Sequence, residues 1–356
     1  MHRETPFPTS PQELTIEWLS DVLARNRCDL KIADFSTETI GTGQIAETFR
    51  INLKTIDRPN EVTATLVAKF PSSDETSRQT GKSMRLYLRE VCFYRQLRPL
   101  IEAKIPECLF ADVDTETHDF CLVMKDAAPA VPGDQVRGIT VREAFLYLKD
   151  LAKIHATFWE NPMLGKLDWL NRLHEFEGCR PEVVGQCWDI FLKRFSPSLN
   201  KEQLKLGEQF VRKIHHWCAP YQGTTTLVHL DFRPDNFMIN DDGTLNAIVD
   251  WQLVGEHCGA IDAAFLIGGA LELSERRRHE ADLVNHYYKM LLSLGVKNYS
   301  WDECWRDYRR ACLYGVNLVI VASVRVMETE RGDRMFTDMA LRHFAQALDL
   351  DSVGLL

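Results

Sequence analysis

The sequence lacks the features of several large protein classes. Its ten cysteines include no C-x-x-C pair and no close cysteine and histidine group, so no local zinc site is indicated. The longest apolar runs, 263–271 and 313–324, are shorter than the roughly 20 residues of a membrane span. The N-terminus has no apolar stretch typical of a signal peptide. These absences predict a cytoplasmic protein with reduced cysteines and no membrane span.

An excess of basic charge is also missing. The chain has 42 Lys and Arg against 51 Asp and Glu, which gives a formal net charge of −9. Nucleic-acid binders and proteins of anionic membranes need a basic surface, so the balance argues against both classes. No segment indicates an obligate protein partner. With 356 residues, 45% of them hydrophobic, the chain is long enough to bury a large core.

Local patterns divide the chain into a β-rich part and a helical part. Helical spacing and capping residues predict helices in the first part, and runs of Thr, Ile, Val and Phe predict antiparallel strands. The helices are predicted at 10–25 and 84–98, and the first three strands at 31–40, 47–56 and 63–70. After a stretch rich in Pro and Gly, the pattern is mostly helical and contains one β-hairpin within 224–254. The fold class is therefore predicted to be α+β.

The densest polar sequence lies on the loop that leads into this hairpin. Asp231 and Asn236 stand five residues apart on the loop, and Asp250 ends the returning strand. Carboxylate and amide oxygens suit Mg²⁺, which also binds phosphate oxygens. A second carboxylate near the metal can orient an attacking hydroxyl or accept its proton. This layout is typical of phosphoryl transfer by kinases.

A nucleotide-holding half would need further parts upstream, and they occur in order. Gly41 and Gly43 lie in a turn between two strands, where a backbone can cover phosphates. Lys69 ends a later strand after Val-Ala, and Glu90 follows 21 residues on, in a helix that can hold this lysine. The extended segment 122–126 can offer backbone groups to adenine. A lone lysine at a strand end is usually only solvated, but Glu90 at this spacing favours the functional interpretation.

Taken together, these motifs resemble those of the aminoglycoside phosphotransferase/choline kinase superfamily, the small-molecule branch of the protein-kinase-like fold. The phrase VDWQ with a following Asp262, and the segments LAKIHATFW and REVCFY, are similar to the ecdysteroid-kinase-like (CHK kinase-like) subgroup. The resemblance implies a bilobal protein-kinase-like fold. Its small antiparallel-sheet N-lobe would span 1–125, a hinge 126–138, and a larger, mainly helical C-lobe 139–356.

The resemblance also implies the residues that handle phosphate and metal. Asp231 would be the catalytic aspartate, and Asn236 and Asp250 would hold Mg²⁺. Lys69 would contact the α- and β-phosphates of ATP and pair with Glu90. Gly41 and Gly43 would cover the phosphates.

An adenine pocket and a structural brace follow from the same resemblance. Four side chains would enclose the adenine, those of Ile40, Ala68, Met238 and Val249. The backbone groups of Val123 and Met124 would be its hydrogen-bond partners. Asp262 would brace the catalytic loop without contacting the substrate.

Two positions depart from the family patterns. Leu230 stands where many relatives have glycine, so the backbone of the loop could differ from theirs at this position. Trp251-Gln252 stands where protein kinases have Phe-Gly, which argues against protein-kinase-style switching. For Arg233 two interpretations stay open, a brace within the loop and a contact to the γ-phosphate, with the brace favoured.

The predicted function is ATP- and Mg²⁺-dependent transfer of phosphate to a hydroxyl group of a small molecule. An inactive nucleotide-binding regulatory module is the alternative, but such proteins usually lose a metal ligand or the catalytic aspartate. A kinase of proteins is disfavoured because only eleven residues separate Asp250 from Asp262, too few for an activation loop. The acceptor stays open among a steroid-like alcohol, an aminoglycoside, choline and other polar metabolites.

Overall fold

The computed structural model describes residues 7–41, 45–326 and 328–356, and the chain folds into two units. The first unit consists of the residues up to Leu100, Ile105–Pro129 and Val249–Leu253. The second consists of Ile101–Lys104, Ala130–Ile248 and Val254–Leu356. The sequence predicts continuous lobes, 1–125 and 139–356, whereas the observed units exchange two short segments. One of them, Val249–Leu253, brings Asp250 into the first unit.

The first unit is built on a five-stranded antiparallel sheet in the order β1-β2-β3-β5-β4. Its strands are Ile32–Thr39 (β1), Ala46–Thr55 (β2), Ala64–Pro71 (β3), Cys108–Val113 (β4) and Phe120–Lys125 (β5). Its helices are Ile16–Arg25 (α1), Glu75–Ser83 (α2) and Leu86–Cys92 (α3), which continues as the π-helix Phe93–Leu97. Helix α1 and alternate residues of the strands form one apolar core against one face of the sheet.

The second unit is mainly helical. Its helices are Val141–Thr157 (α4), Pro181–Phe195 (α5), Lys201–Trp217 (α6), Ala260–Ala270 (α7), Leu273–Ser293 (α8), Trp301–Arg325 (α9) and Glu330–Asp349 (α10). Capping boxes at Thr140, Asn200 and Ser300 start α4, α6 and α9, because each side chain accepts from the amide three residues on. Every residue of α7 is buried, so this helix lies at the centre of the unit.

Six short strands complete the second unit and position its loops. They are Val131–Pro132 (β6), Asn171–Arg172 (β7), Thr226–Val228 (β8), Phe237–Ile239 (β9), Leu245–Ile248 (β10) and Gly255–His257 (β11). They pair in two sheets of three, β10-β9-β6 and β7-β11-β8. Strands β9 and β10 are the predicted hairpin, and the polar loop with Asp231 runs from β8 to β9.

The predicted α+β fold, an antiparallel sheet followed by a larger helical part, is confirmed. The helix predicted at 84–98 is less regular than expected. Arg85 has a left-handed backbone, with φ of 55°, so α3 starts only at Leu86, and the helix changes to π-type at Phe93. No helix within the described ranges is long and apolar enough to cross a membrane.

Stacked aromatic rings in the second unit predict a large effect of one core substitution. Phe191 is fully buried and stacks on Trp188 and Phe344, with ring centroids 5.5 and 6.0 Å away. Phe191→Ala should lower the free energy of unfolding by about 3–5 kcal/mol, because it removes buried area and leaves a cavity. The neighbouring Ile190 is 43% exposed, and Ile190→Ala should cost clearly less. Urea unfolding measures both, and equal losses would contradict the packing described.

A buried histidine predicts how stability depends on pH. His343 is fully buried against Phe265, and burial lowers the pKa of His343 to about 3. Below pH about 6.5 the unfolded chain binds a proton that the folded chain excludes, so stability falls as the pH drops towards 3. His343→Gln should flatten this slope by up to about 1.4 kcal/mol per pH unit. Urea unfolding between pH 7 and pH 4.5 tests this, and an unchanged slope would contradict it.

Candidate active site

Lys69 is placed by strand β3, the middle strand of the first unit's sheet. In the antiparallel register Lys69 lies opposite Thr48 of β2 and Leu122 of β5. Side chains alternate between the two faces of a strand, so Lys69 points away from the apolar core that Ala68 and Phe70 help to form. The strand therefore presents the ammonium group on the face opposite α1.

The Lys69 ammonium group lies between two carboxylates. Its Nζ atom is 2.8 Å from both carboxylate oxygens of Glu90 on α3 and 3.4 Å from Oδ1 of Asp250. The exposed fractions of the side chains are 12% for Lys69, 2% for Glu90 and 28% for Asp250. The predicted pair of Lys69 and Glu90 is thus observed. With one positive and two negative groups, the cluster has excess negative charge that favours a further cation beside Asp250.

Electrostatics keep this lysine charged. Burial opposes the charge, but the carboxylates of Asp250 and Glu90 outweigh burial and raise the pKa of Lys69. Burial also raises the pKa of Glu90, and its contact with the Lys69 ammonium opposes that rise. The two short contacts to Glu90 hold the Lys69 ammonium group in a fixed orientation.

The backbone of Asp250 is positioned by a stacked aromatic pair. The Trp251 ring, fully buried, lies parallel to Phe93 with centroids 4.0 Å apart. Asp250 itself is left-handed, with φ of 66°, and its Oδ2 atom is 3.3 Å from the side-chain amide of Gln252. Trp251 and Gln252, which depart from the protein-kinase pattern, therefore both help to hold Asp250: Trp251 by stacking on Phe93, and Gln252 by contact with the carboxylate.

Part of the predicted glycine turn is described. The amide of Ile40 donates to the carbonyl of Thr48 at 2.8 Å, and Gly41 has a positive φ of 74°, which favours glycine. Gly43 lies outside the described residues. Ile40 and Val249 are half-buried residues of the first unit, and Met238 is a half-buried residue of β9 in the second.

The assignment of Ala68 to the adenine pocket is wrong. Ala68 is fully buried in the apolar core with α1, on the face of β3 opposite Lys69. Val67 is half-buried and shares the face of Lys69, because residues two apart on a strand point the same way. The alternation of side chains along the strand indicates Val67 at this place instead.

Val123 and Met124 lie inside the sheet. Strand β5 pairs with β3 on one side and β4 on the other, and both pairings include these two residues. Their backbone groups are thus directed at neighbouring strands. The chain leaves the sheet after Lys125, and the next residue, Asp126, accepts from Arg50 Nε at 2.6 Å and from the amide of Ala128 at 2.9 Å.

Asp231 and Asn236 are brought together in the second unit. The Asn236 side-chain amide donates to Oδ2 of Asp231 at 2.7 Å and to its backbone carbonyl at 2.9 Å. Arg233 Nε donates to the other carboxylate oxygen of Asp231 at 2.9 Å. Both carboxylate oxygens of Asp231 are therefore held by side chains of its own loop.

Arg233 joins two carboxylates of its own loop, in line with the predicted brace. Its Nη1 atom also binds Asp235 at 2.5 Å, so one guanidinium joins Asp231 and Asp235. Asp235 in turn accepts from the backbone amide of Gln135 at 2.9 Å, and its carboxylate lies 3.6 Å from the guanidinium group of Arg331 on α10. Sequence reasoning missed Asp235 and Arg331. The motif itself contains Asp235, whereas nothing in the local sequence indicates Arg331.

Asp262 joins this loop to the buried helix α7. Its two carboxylate oxygens accept from the backbone amides of His229 at 2.6 Å and Leu230 at 2.8 Å. A ring nitrogen of His155 lies 3.3 Å away, and the other ring nitrogen contacts the Tyr287 hydroxyl at 2.7 Å. The carboxylate is fully buried, so these partners replace water as its hydrogen-bond donors.

No group of three or more His, Cys, Asp or Glu that could hold a metal ion occurs among the described residues. Of the two predicted magnesium ligands, Asn236 lies in the second unit and Asp250 in the first.

A family model of phosphotransferases matches residues 36–288. The chain belongs to the phosphotransferase enzyme family. The matched range contains Lys69, Glu90, Asp231, Asn236 and Asp250, so each of these motif residues lies within the family's domain. The predicted superfamily is confirmed, and its ecdysteroid-kinase-like subgroup stays a prediction. No curated protein matches the sequence.

Solved structures share the fold of this phosphotransferase family member. The GDP complex of wild-type aminoglycoside 2′-phosphotransferase-IIIa has a TM-score of 0.54 at 12% identity, covering 92% of this chain and 99% of that chain. A protein from Ralstonia eutropha JMP134 assigned to the aminoglycoside phosphotransferases has a TM-score of 0.52 at 13% sequence identity. The match covers 94% of this chain and 98% of that chain. ADP-bound aminoglycoside phosphotransferase APH(2″)-Ib has a TM-score of 0.50 at 13% sequence identity, and the match covers 92% of this chain and 99% of that chain. The predicted bilobal protein-kinase-like fold is confirmed.

Loss of the Lys69 charge should leave the buried carboxylate of Glu90 without its cation. Lys69→Met leaves a buried carboxylate without its cation and should lower the free energy of unfolding by about 3–5 kcal/mol at pH 7. Burial raises the pKa of Glu90, so the deficit should shrink as the pH falls and the carboxylate takes up a proton.

The matched control for this substitution is the double variant Lys69→Met/Glu90→Gln, which removes the buried charge. Thermal and urea unfolding should show that it recovers much of the stability lost in Lys69→Met. Equal stability of the two variants at every pH would show that the ion pair does not govern this site.

Proposed function

We propose that the chain transfers the γ-phosphate of ATP to a hydroxyl group of a small molecule. The observation that carries the proposal is the charged cluster of Lys69, Glu90 and Asp250 together with the braced carboxylate of Asp231, in a chain of the phosphotransferase family. The solved structures that share the fold are named as phosphotransferases of aminoglycosides and hold nucleotides in two cases, which supports a small acceptor and a nucleotide donor.

In this reaction Asp231 orients the acceptor hydroxyl and takes its proton as the oxygen attacks the γ-phosphorus. The bond from the γ-phosphorus to the bridging oxygen breaks, and ADP leaves with the bond's electron pair. The charge on Lys69 stabilises the phosphate oxygens as negative charge redistributes. Asn236 and Asp250 would hold Mg²⁺, which neutralises phosphate charge when bound. The carboxylate oxygens of Asp250 are only weakly held, Oδ1 at 3.4 Å from Lys69 and Oδ2 at 3.3 Å from Gln252, so they would be available to bind a metal.

For the adenine, we propose a pocket that includes Ile40, Val249, Met238 and, in place of Ala68, Val67. Its hydrogen-bond partners would be backbone groups just after Lys125, because those of Val123 and Met124 serve the sheet. The segment 126–138 would be the hinge of the prediction. Cytoplasmic location, the ecdysteroid-kinase-like subgroup and an alcohol acceptor belong to the same proposal.

A metabolite library screened for ADP release in the presence of ATP and Mg²⁺, followed by mass spectrometry for added phosphate, tests this function. Asp231→Ala and Asp250→Ala should lower the rate at least about 100-fold on any acceptor found, because they remove the base and a metal ligand. Asp241→Ala, in the exposed turn of the hairpin, should keep the wild-type rate.

Near-equal rates of the wild type and both variants would overturn the proposal. A thermal shift with ATP and Mg²⁺ but no turnover of any acceptor would favour the inactive regulatory module. Ligand at about 100 times its Kd adds about 2.7 kcal/mol of stability, so binding is detectable without turnover.

A further inference from the structure

Leu230, the residue before Asp231, has an unusual backbone. Its φ is 64°, in the left-handed region, where the β-carbon of a leucine is crowded by its own backbone. Asparagine, aspartate and glycine adopt this region readily, whereas a branched apolar residue rarely does. The Leu230 side chain is 2% exposed, so burial helps to keep leucine here, but burial alone does not select the left-handed conformation.

Two hydrogen bonds from different helices hold the peptide groups on either side of Leu230. On its N-terminal side the amide donates to Asp262 of α7 at 2.8 Å. On its C-terminal side the carbonyl oxygen accepts from the hydroxyl of Tyr314 on α9. The two peptide planes determine φ and ψ, so these contacts together specify the conformation of Leu230 and the direction in which the chain enters Asp231.

The Tyr314 ring is itself fixed. It is 4% exposed and packs edge-on against Phe265 of α7, with centroids 5.5 Å apart, and lies 6.4 Å from the Trp217 ring of α6. Burial, and then the charge of Asp231, raise the pKa of Tyr314, so its hydroxyl keeps its proton and stays a donor. Three helices thus contribute to the position of one hydroxyl group.

We propose that Tyr314 is a positioning residue for the catalytic loop, which holds Leu230 in the left-handed conformation and thereby orients the Asp231 carboxylate. The kinetic part of this inference rests on the proposed function, since it takes Asp231 as the catalytic base. A glycine at position 230 adopts the same backbone without restraint, so the hydroxyl of Tyr314 matters because residue 230 is a leucine.

A double-mutant cycle tests this dependence. In the wild-type background Tyr314→Phe should lower kcat for ATP turnover about ten-fold and change KM for ATP less than about two-fold, as expected for a lost buried hydrogen bond that orients a reacting group. In the Leu230→Gly background the same change should lower kcat by at most about two-fold. Water serves as the acceptor if no other has been found, and rates are normalised to folded enzyme.

Tyr308→Phe is the matched control. Tyr308 lies on the same helix, is fully buried, and donates to Glu280 at 2.8 Å, away from the catalytic loop. It should lower the unfolding temperature without changing kcat per folded enzyme. If Leu230→Gly does not fold, Leu230→Asn takes its place, because asparagine also adopts the left-handed region.

Amide hydrogen exchange gives a readout that does not depend on activity. Tyr314→Phe should speed exchange at the amides of His229 and Leu230 at least about five-fold, and Tyr308→Phe should leave them unchanged. Equal kinetic effects of Tyr314→Phe in both backgrounds, or unchanged exchange, would overturn the positioning role. If the wild type turns over ATP neither with water nor with any acceptor of the library, the proposed function fails, and the exchange result alone decides the role of Tyr314.

Discussion

The second unit depends on one buried carboxylate. Helix α7 is apolar except for Asp262, and a lone carboxylate at its depth would be strongly destabilising. The carboxylate can be buried because two backbone amides of the loop from β8 to β9, and a ring nitrogen of His155, surround it. The same contacts fix that loop to the centre of the unit. Burial of Asp262 and the shape of the loop that carries Asp231 are therefore one constraint.

The first unit also buries a charged side chain, but here the buried group is the cation of Lys69. A lysine on a central strand would be costly to bury, but Glu90 and Asp250 supply more negative charge than it needs. Glu90 is the better buried partner and holds the ammonium at two short distances. Asp250 is more exposed and more distant, so it can take another cation while Lys69 keeps its first partner. This division of roles is what the proposed binding of a metal and phosphates would require.

Sequence reasoning reached the fold class and the motif residues because their information is local. Asp231, Asn236 and Asp250 lie within twenty residues, and their spacing on a loop and hairpin can be read directly. Ala68 was misassigned although the necessary rule, alternation along a strand, was also local. The contacts of Tyr314 with Leu230 and of Arg331 with Asp235 join residues 84 and 96 positions apart, and no periodicity encodes them. The move of Val249–Leu253 into the first unit is equally non-local.

The two departures from the family patterns share a physical explanation. Each places larger side chains beside a residue of the site: Leu230 stands where many relatives have glycine, and Trp251-Gln252 where protein kinases have Phe-Gly. Leu230 has a left-handed backbone, which costs a residue with a β-carbon about 1–2 kcal/mol, and it is buried and held through both of its peptide groups. Trp251 replaces a smaller ring next to the left-handed Asp250 and stacks on Phe93 of the helix that carries Glu90. In both cases an aromatic residue from another helical segment restrains the backbone, so a loop with fewer glycines keeps the geometry that its carboxylates need.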